Sequence, residues 1–194
     1  NQDITERYVR YAEGGAGLIV VEAMAVHGAK SGPLLRISDQ SYLPGLSDMV
    51  RRVHDTSDSK IVPQIIHFLK IARSGWRQTI DMLDETDIDA IVGHFGAAAA
   101  RAREAGFDGA ELHSAHAYTL ASFISRRNTR NDDYGGSLEN RLRLIGRVMH
   151  EARRQAGHDF AIGVRIDAEE FIRGGYTVEE GKLIALRHAQ LGCD

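Results

Sequence analysis

The stretch that decides the fold is FDGAELHSAHAY, residues 107–118. It begins with an apolar run that predicts a buried strand, and it ends in a polar cluster of His113, His116 and Tyr118. Titratable groups at the carboxyl end of a strand are costly to bury without a purpose. Because two imidazole N–H groups and a phenol O–H can bind a carbonyl oxygen and deliver a proton, we interpret the cluster as a candidate active site.

Three further apolar runs predict strands of the same kind. They are nearly continuous rather than alternating, which is typical of parallel strands buried on both faces. Helical patterns separate them in the order α-β-α-β-α-β-α-β-α, so a parallel α/β fold is predicted, either a doubly wound sheet or a (β/α)8 barrel. No G-x-G-x-x-G motif follows a strand, which argues against a dinucleotide-binding sheet. The three runs are Gly17–Ala23, Ile61–Ile66 and Phe160–Ile166.

Capping residues predict where the helices begin. Thr86 is predicted to cap a helix that ends near Gly106. Ser137 opens a second helix, and Thr177-x-x-Glu180 is interpreted as the capping box of a third. The predicted buried stripe of the first helix is Ile88, Ile91, Val92, Phe95, Ala99 and Ala102, and that of the third is Ile184, Leu186 and Leu191.

Composition limits the class of partner. The chain has 194 residues, 43% of them hydrophobic, and a net charge of −3, which suits one globular domain and provides no basic field for nucleic acid. No apolar run approaches the roughly 20 residues of a membrane span, and the single cysteine, Cys193, fits a reducing cytosol. We expect a cytoplasmic protein that acts on a small molecule and binds neither nucleic acid nor membrane; self-association stays open.

Polar side chains stand at or near the carboxyl end of every predicted strand. In parallel α/β architectures these strand ends converge on the ligand site. A ligand site at that end of the sheet is therefore predicted. Its candidate residues are Glu22, Gln64, His67, His113, His116, Tyr118, Arg165 and Asp167.

Residues 107–141 resemble the signature of the old yellow enzyme family of flavin-dependent oxidoreductases. In that family a strand ending in H-x-x-[HN]-x-Y leads to F-[LI]-S and then to N-x-R-x-D-x-YGGS-x-ENR. The resemblance extends to nearly the whole chain. The matching segments are His113–Tyr118, Phe123–Ser125, Asn128–Arg141, Gly17–Ala23, Gln64-x-x-His67 and Gly163-Val164-Arg165.

The resemblance implies an α/β fold, a (β/α)8 TIM barrel with FMN across its carboxyl-end mouth. The chain would supply about strands two to five and the start of the sixth, so residues 1–194 are expected to be a partial FMN-binding domain truncated at both ends. NADH or NADPH would reduce the FMN, whose N5 would pass hydride to an activated alkene such as an enone or enoate. An iron–sulfur cluster would belong only to a missing downstream region.

On the substrate side, the resemblance implies roles for three residues. His113 and His116 would donate hydrogen bonds to the activating oxygen of the substrate, where negative charge develops as hydride arrives. Tyr118 would give its proton to the α-carbon, since a phenol keeps its proton at neutral pH. An open alternative is a metal-dependent barrel hydrolase that uses the same histidines; another is a noncatalytic fragment.

On the flavin side, the resemblance implies that Ala23 touches the ring through its backbone and that Gln64 hydrogen-bonds the pyrimidine edge. Arg165 would lie near N1 and O2, where negative charge accumulates. The alternative for Arg165 is a structural ion pair with Asp167 or Glu111.

Two features lie outside these roles. Where the family has x-Gly-Arg after Gln64-x-x-His67, this chain has Phe68-Leu69-Lys70, which puts substrate scope in doubt. A dense set of charged and polar residues is predicted to be structural, holding the long loop before the second helix. These residues are Arg130, Asp132, Tyr134, Glu139, Asn140 and Arg141.

Overall fold

The computed structural model describes residues 2–29 and 33–194. The strands of this part are β1 (Leu18–Ala25), β2 (Leu35–Arg36), β3 (Lys60–Ile66), β4 (Gly109–Ser114) and β5 (Ala161–Ile166). The α-helices are α1 (Gln2–Glu13), α2 (Leu43–Thr56), α3 (Glu85–Glu104), α4 (Thr119–Ile124), α5 (Leu138–Arg141), α6 (Arg143–Ala156) and α7 (Val178–Gln190). Short 3-10 helices span Gln40–Tyr42 and Ile80–Met82.

All five strands pair in parallel, in the order β2-β1-β3-β4-β5. This confirms the predicted parallel α/β fold. Apart from the two-residue β2, neighbours in the sheet follow the order of the chain without a reversal. A doubly wound sheet has a switch point where the strand order reverses, so the observed order favours the barrel over that alternative.

Each of the four predicted strands is present, with its ends within two residues of the prediction. The shift that matters is in β4, which runs on to Ser114 and therefore includes His113. β2 was not predicted, because two residues leave no readable pattern. No strand is assigned after α7 in the described residues, but the Asp194 N–H donates to the Ile162 carbonyl at 3.1 Å. The chain thus begins to run beside β5, where the further strand was expected.

The two faces of the sheet have different environments. Helices cover one face, where α3 packs against β3, β4 and α6, and this face is buried. On the other face, Leu18 and Val20 of β1 are 60% and 40% exposed. Cross-strand register places polar residues on that second face, because Gln64 is opposite Glu111 and His113 is opposite Arg165. The buried strand residues on the helix side include Ile19, Val21, Ile61, Ile65, Ala110, Leu112 and Ile162.

The start of α3 differs from the prediction that placed Thr86 at its cap. Asp84 is the capping residue: its side chain accepts from the Asp87 N–H at 2.9 Å, and the Asp87 side chain accepts from the Asp84 N–H at 3.3 Å. This reciprocal capping box satisfies two helix N–H groups, which a single threonine cannot do. The predicted buried stripe of α3 is confirmed at all six positions.

The other two helix starts were predicted with mixed success. Ser137 caps α5 as predicted, accepting from the Asn140 N–H at 3.2 Å, although the helix breaks before α6. Thr177 precedes α7, but its side chain makes no capping bond, so the predicted capping box is wrong. Glu180 is instead buried and forms an ion pair with Arg141 at 2.5 Å. Ile184 is buried as predicted, whereas Leu186 and Leu191 are exposed.

The loop before α5 is pinned by its charged and polar residues, which supports their structural interpretation. Arg130 donates to the carbonyls of Ile80 and Leu83, the latter at 2.8 Å, and pairs with Asp132. Buried Tyr134 donates to Glu85 at 2.9 Å. Arg141 similarly binds a carbonyl of α4. Each bond gives a hydrogen-bond partner to a backbone or side-chain polar group that would otherwise lack one in a packed region.

No helix of the described residues is both long enough and apolar enough to cross a membrane.

The loop before α5 supplies a stability test. A Cβ added at Gly135 would lie 1.9 Å from the Arg130 carbonyl oxygen, so Gly135→Ala should lower the free energy of unfolding by about 1–3 kcal/mol. Gly93→Ala, in α3 with open space around the new Cβ, is the matched control and should raise it by up to about 1 kcal/mol. Urea unfolding of the full-length protein measures both. Equal effects of the two substitutions would contradict the close contact.

Candidate active site

The structure brings together His113, His116 and Tyr118, here called the site trio. The His113 ring centroid lies 5.0 Å from that of His116 and 5.2 Å from that of Tyr118. His113 is buried at the end of β4, whereas His116 and Tyr118 are exposed on the turn between β4 and α4. One member of the trio is therefore fixed by the sheet, and the other two depend on the conformation of the turn.

The backbone of this turn is strained. His116 and Ala117 have φ values of 58° and 57°, in the left-handed region that residues with a Cβ rarely adopt. Such a conformation costs roughly 1–2 kcal/mol per residue. Three hydrogen bonds hold it: the Tyr118 N–H donates to the Ala115 carbonyl at 3.3 Å, the Ser122 hydroxyl donates to the Ala117 carbonyl at 2.9 Å, and the His116 N–H donates to Asp167 Oδ2 at 2.9 Å.

Hydrogen bonding defines the tautomer of His113. Its Nδ1 accepts from the Ala115 N–H at 3.3 Å, and its Nε2 lies 3.3 Å from His116 Nδ1. Burial, together with the positive charges of His116 and Arg165, lowers the pKa of His113 to about 4, so the ring is neutral and carries its proton on Nε2. That proton points to Nδ1 of His116, which lies 3.3 Å from His113 Nε2. This contact joins the two rings, and the substrate roles expected of His113 and His116 stay predictions.

A cavity of about 770 Å³ opens beside the trio, within the range of small-molecule sites. It is lined by four of the six predicted site residues, namely Ala23, His113, His116 and Tyr118. Its remaining wall is largely apolar. That wall includes Pro33, Leu34, Ile66, Phe68, Leu69 and Ile71.

Gln64 and Arg165 do not line this cavity, although they share its face of the sheet. Gln64 is buried and donates to Glu111 at 2.6 Å. Arg165 is exposed opposite His113 and makes no ion pair within the described residues, so the alternative of a structural pair with Asp167 or Glu111 is wrong. Those two carboxylates accept instead from the His116 N–H and from Gln64.

A second histidine cluster escaped sequence reasoning. His27, His67 and His94 surround a smaller cavity of about 290 Å³, and the His27 ring centroid lies 4.5 Å from that of His67. Desolvation lowers the pKa of His27 to about 4 and that of His67 to about 3, and the neighbouring imidazoles add to the effect. His67 lies 2.9 Å from Thr119 at the start of α4. His67 was among the predicted candidates, but His27 and His94 were not, because the three residues come from separate segments of the chain.

Within residues 2–29 and 33–194, no group of three histidine, cysteine or carboxylate side chains is arranged to hold a metal ion. The metal-dependent hydrolase alternative therefore finds no ligand set in this part of the chain.

Comparison with known proteins supports a flavoprotein family. Residues 1–191 match the model of the NADH:flavin oxidoreductase / NADH oxidase family. An NADH oxidase of Thermoanaerobacter brockii is 35% identical over 95% of this chain and 32% of its own length. A cinnamate reductase of Clostridium sporogenes is 33% identical over 90% of this chain and 31% of its own length.

A solved structure supports the fold. Histamine dehydrogenase from Rhizobium sp. 4-9 superposes with a TM-score of 0.85 at 27% identity, covering 97% of this chain and 31% of the larger protein. The sheet is thus an incomplete (β/α)8 barrel, as predicted. The chain belongs to the NADH:flavin oxidoreductase / NADH oxidase family, and it spans about a third of the length of these relatives.

The buried histidines predict acid sensitivity. Because the pKa values of His27, His67 and His113 are lowered to about 4, 3 and 4, the unfolded chain binds protons at a higher pH than the folded one does. The free energy of unfolding should therefore fall as the pH drops from about 6.5 towards 4. Urea unfolding of the full-length protein at several pH values checks this.

His67→Gln should flatten that pH dependence, because it removes one of the groups that must be protonated on unfolding. His150→Gln, on the exposed face of α6, controls for the substitution itself. An identical pH dependence in His67→Gln and in the unsubstituted protein would contradict the assignment.

Proposed function

We propose that the full-length protein is an FMN-dependent oxidoreductase of the ene-reductase type, reduced by NADH or NADPH and acting on a small molecule with an activated alkene. The observation that carries the proposal is the site trio on the wall of a cavity of about 770 Å³ at the carboxyl end of the sheet. Family membership supports the cofactor, and the cinnamate reductase among the relatives supports the substrate class.

The residues at the site suit FMN. Gln64 uses one N–H on Glu111, which orients its amide and leaves an oxygen and a second N–H for a heterocycle edge. Arg165 offers an exposed guanidinium one strand away from His113, suited to negative charge on a ring. Ala23 lines the cavity with a small side chain, which permits close approach. FMN held by these three would take hydride from NADH or NADPH and supply it to the substrate β-carbon.

The two histidines act on the substrate oxygen as one unit. Neutral His113 donates from Nε2 to His116 Nδ1, which aligns and polarises the His116 Nε2–H toward an acceptor. A donor fixed in advance stabilises the negative charge that develops on a carbonyl or nitro oxygen. The low pKa of His113 matters here, because a protonated ring would donate from Nδ1 as well and break the bond from the Ala115 N–H.

Tyr118 supplies the proton. Its phenol is exposed beside His113 and lines the same cavity, so it can reach a substrate whose oxygen is bound by His116. Transfer of its proton to the α-carbon neutralises the charge that the histidines hold. The two imidazoles thus stabilise the negative charge on the substrate oxygen, and the phenol donates the proton.

The first prediction from this proposal concerns the cofactor. The full-length protein should purify with FMN bound, show its yellow absorption and lose that colour anaerobically with NADH or NADPH. Gln64→Leu and Arg165→Leu should each raise the dissociation constant for FMN by about tenfold or more, since each removes a polar partner. Colourless protein that cannot be reconstituted with FMN would refute the proposal.

The second prediction concerns the proton donor. Tyr118→Phe should slow reoxidation of the reduced enzyme by an alkene about 100-fold, the usual range for loss of a general acid, while reduction by NAD(P)H stays unchanged. Stopped-flow absorbance separates the two half-reactions. Tyr42→Phe, an exposed tyrosine on the 3-10 helix before α2, is the control. Equal slowing of both half-reactions in Tyr118→Phe would speak against a proton-transfer role.

We also propose that residues 1–194 are part of a longer FMN-binding barrel domain and that the protein works in the cytoplasm. The first point is supported by the share of its relatives that the chain covers. The second is supported by the use of a nicotinamide reductant and by the single thiol, Cys193.

A further inference from the structure

Asp167 is a carboxylate at the site to which the proposed mechanism gives no task. It directly follows β5, and its Oδ2 accepts from the backbone N–H of His116, 51 residues earlier in the chain, at 2.9 Å. A charge-assisted bond of this kind is stronger than one between neutral groups. The bond links the end of β5 to the turn that carries the two exposed members of the site trio.

The turn needs an external anchor because its own backbone is unfavourable. His116 and Ala117 are consecutive left-handed residues, and both carry a Cβ. Relaxation of either residue would swing the following phenol of Tyr118 and the imidazole of His116 away from the cavity that they line. The carboxylate binds the N–H of the first strained residue, where it opposes that relaxation most directly.

Asp167 is itself held in place. Buried Tyr176 donates from its phenol to the Asp167 carbonyl at 2.9 Å, and the Tyr176 N–H donates to Glu170 Oε2 at 2.7 Å. The Glu170 N–H returns a bond to the Tyr176 carbonyl at 3.2 Å. The loop from 167 to 176 is thereby closed on itself, so the carboxylate that reaches the turn starts from a fixed backbone.

We propose that Asp167 is a positioning residue: its carboxylate, carried on a backbone that Tyr176 holds, keeps the turn in place so that His116 and Tyr118 face the cavity. The kinetic part of this inference rests on the proposed function, whereas the conformational part does not. The role is distinct from charge compensation, because Arg165 beside it is left without an ion pair in the described residues.

The test compares three variants of the full-length holoenzyme. Asp167→Ala removes the acceptor, Asp167→Asn keeps an oxygen acceptor without the charge, and Glu169→Ala removes a carboxylate from the same loop that makes no hydrogen bond or ion pair among the described residues. Stopped-flow absorbance gives the two half-reactions, and hydrogen-exchange mass spectrometry follows the peptide that covers residues 113–119.

Asp167→Ala should slow reoxidation by an alkene by about 10- to 100-fold, the effect of a misplaced site, with reduction by NAD(P)H unchanged. Amide exchange in residues 113–119 should be faster in the same variant. Asp167→Asn should recover most of both properties, and Glu169→Ala should leave both unaltered. A role in folding alone would slow both half-reactions together and would not be recovered selectively by asparagine.

Unchanged exchange in the 113–119 peptide of Asp167→Ala would overturn the inference, as would a rate loss shared with Glu169→Ala. If Asp167→Ala does not fold, Tyr176→Phe replaces it, because this variant loses the hydrogen bond to the Asp167 carbonyl. Amide exchange should then be faster and reoxidation slower, as expected for Asp167→Ala. No change in either property would count against the proposal. A protein that reduces no alkene would defeat the proposed function, while the exchange result would still decide the anchoring role of Asp167.

Discussion

Parallel pairing of β4 with β3 and β5 is the constraint on which the site depends. In-register backbone bonds put Gln64 beside Glu111 and His113 beside Arg165, so four polar side chains from three strands share one face. The helices that cover the opposite face bury the apolar half of each strand. A slip of one residue in β4 would turn His113 into the helix layer and destroy the site together with the core.

The site combines a rigid part and an adjustable part. His113 and Gln64 are buried in strands and are fixed by the core, whereas His116 and Tyr118 lie on a turn whose conformation is imposed from outside. Barrel enzymes commonly divide their sites in this way: residues at the strand ends have fixed positions, and residues on the loops extend toward the ligand. Here the end of the neighbouring strand, through Asp167, adds to the hydrogen bonds that the turn makes locally.

Sequence reasoning predicted the features that depend on local pattern. The strands, the stripe of α3 and the trio of His113, His116 and Tyr118 are all readable within short windows. Features that depend on distant partners were missed, such as the His27–His67 contact and the bond from His116 to Asp167. The cap of α3 was misplaced by two residues because Asp84 and Thr86 are both good caps, and only the reciprocal bond of Asp87 decides between them.

The left-handed backbone at Ala117 has a consequence for how this stretch can vary over evolutionary time. Alanine is the smallest residue that still carries a Cβ, and glycine would adopt the same φ of 57° without steric cost. Valine, isoleucine and threonine would clash there, since branching at Cβ makes that region still less accessible. Natural variants should therefore drift between alanine, glycine and asparagine at this position.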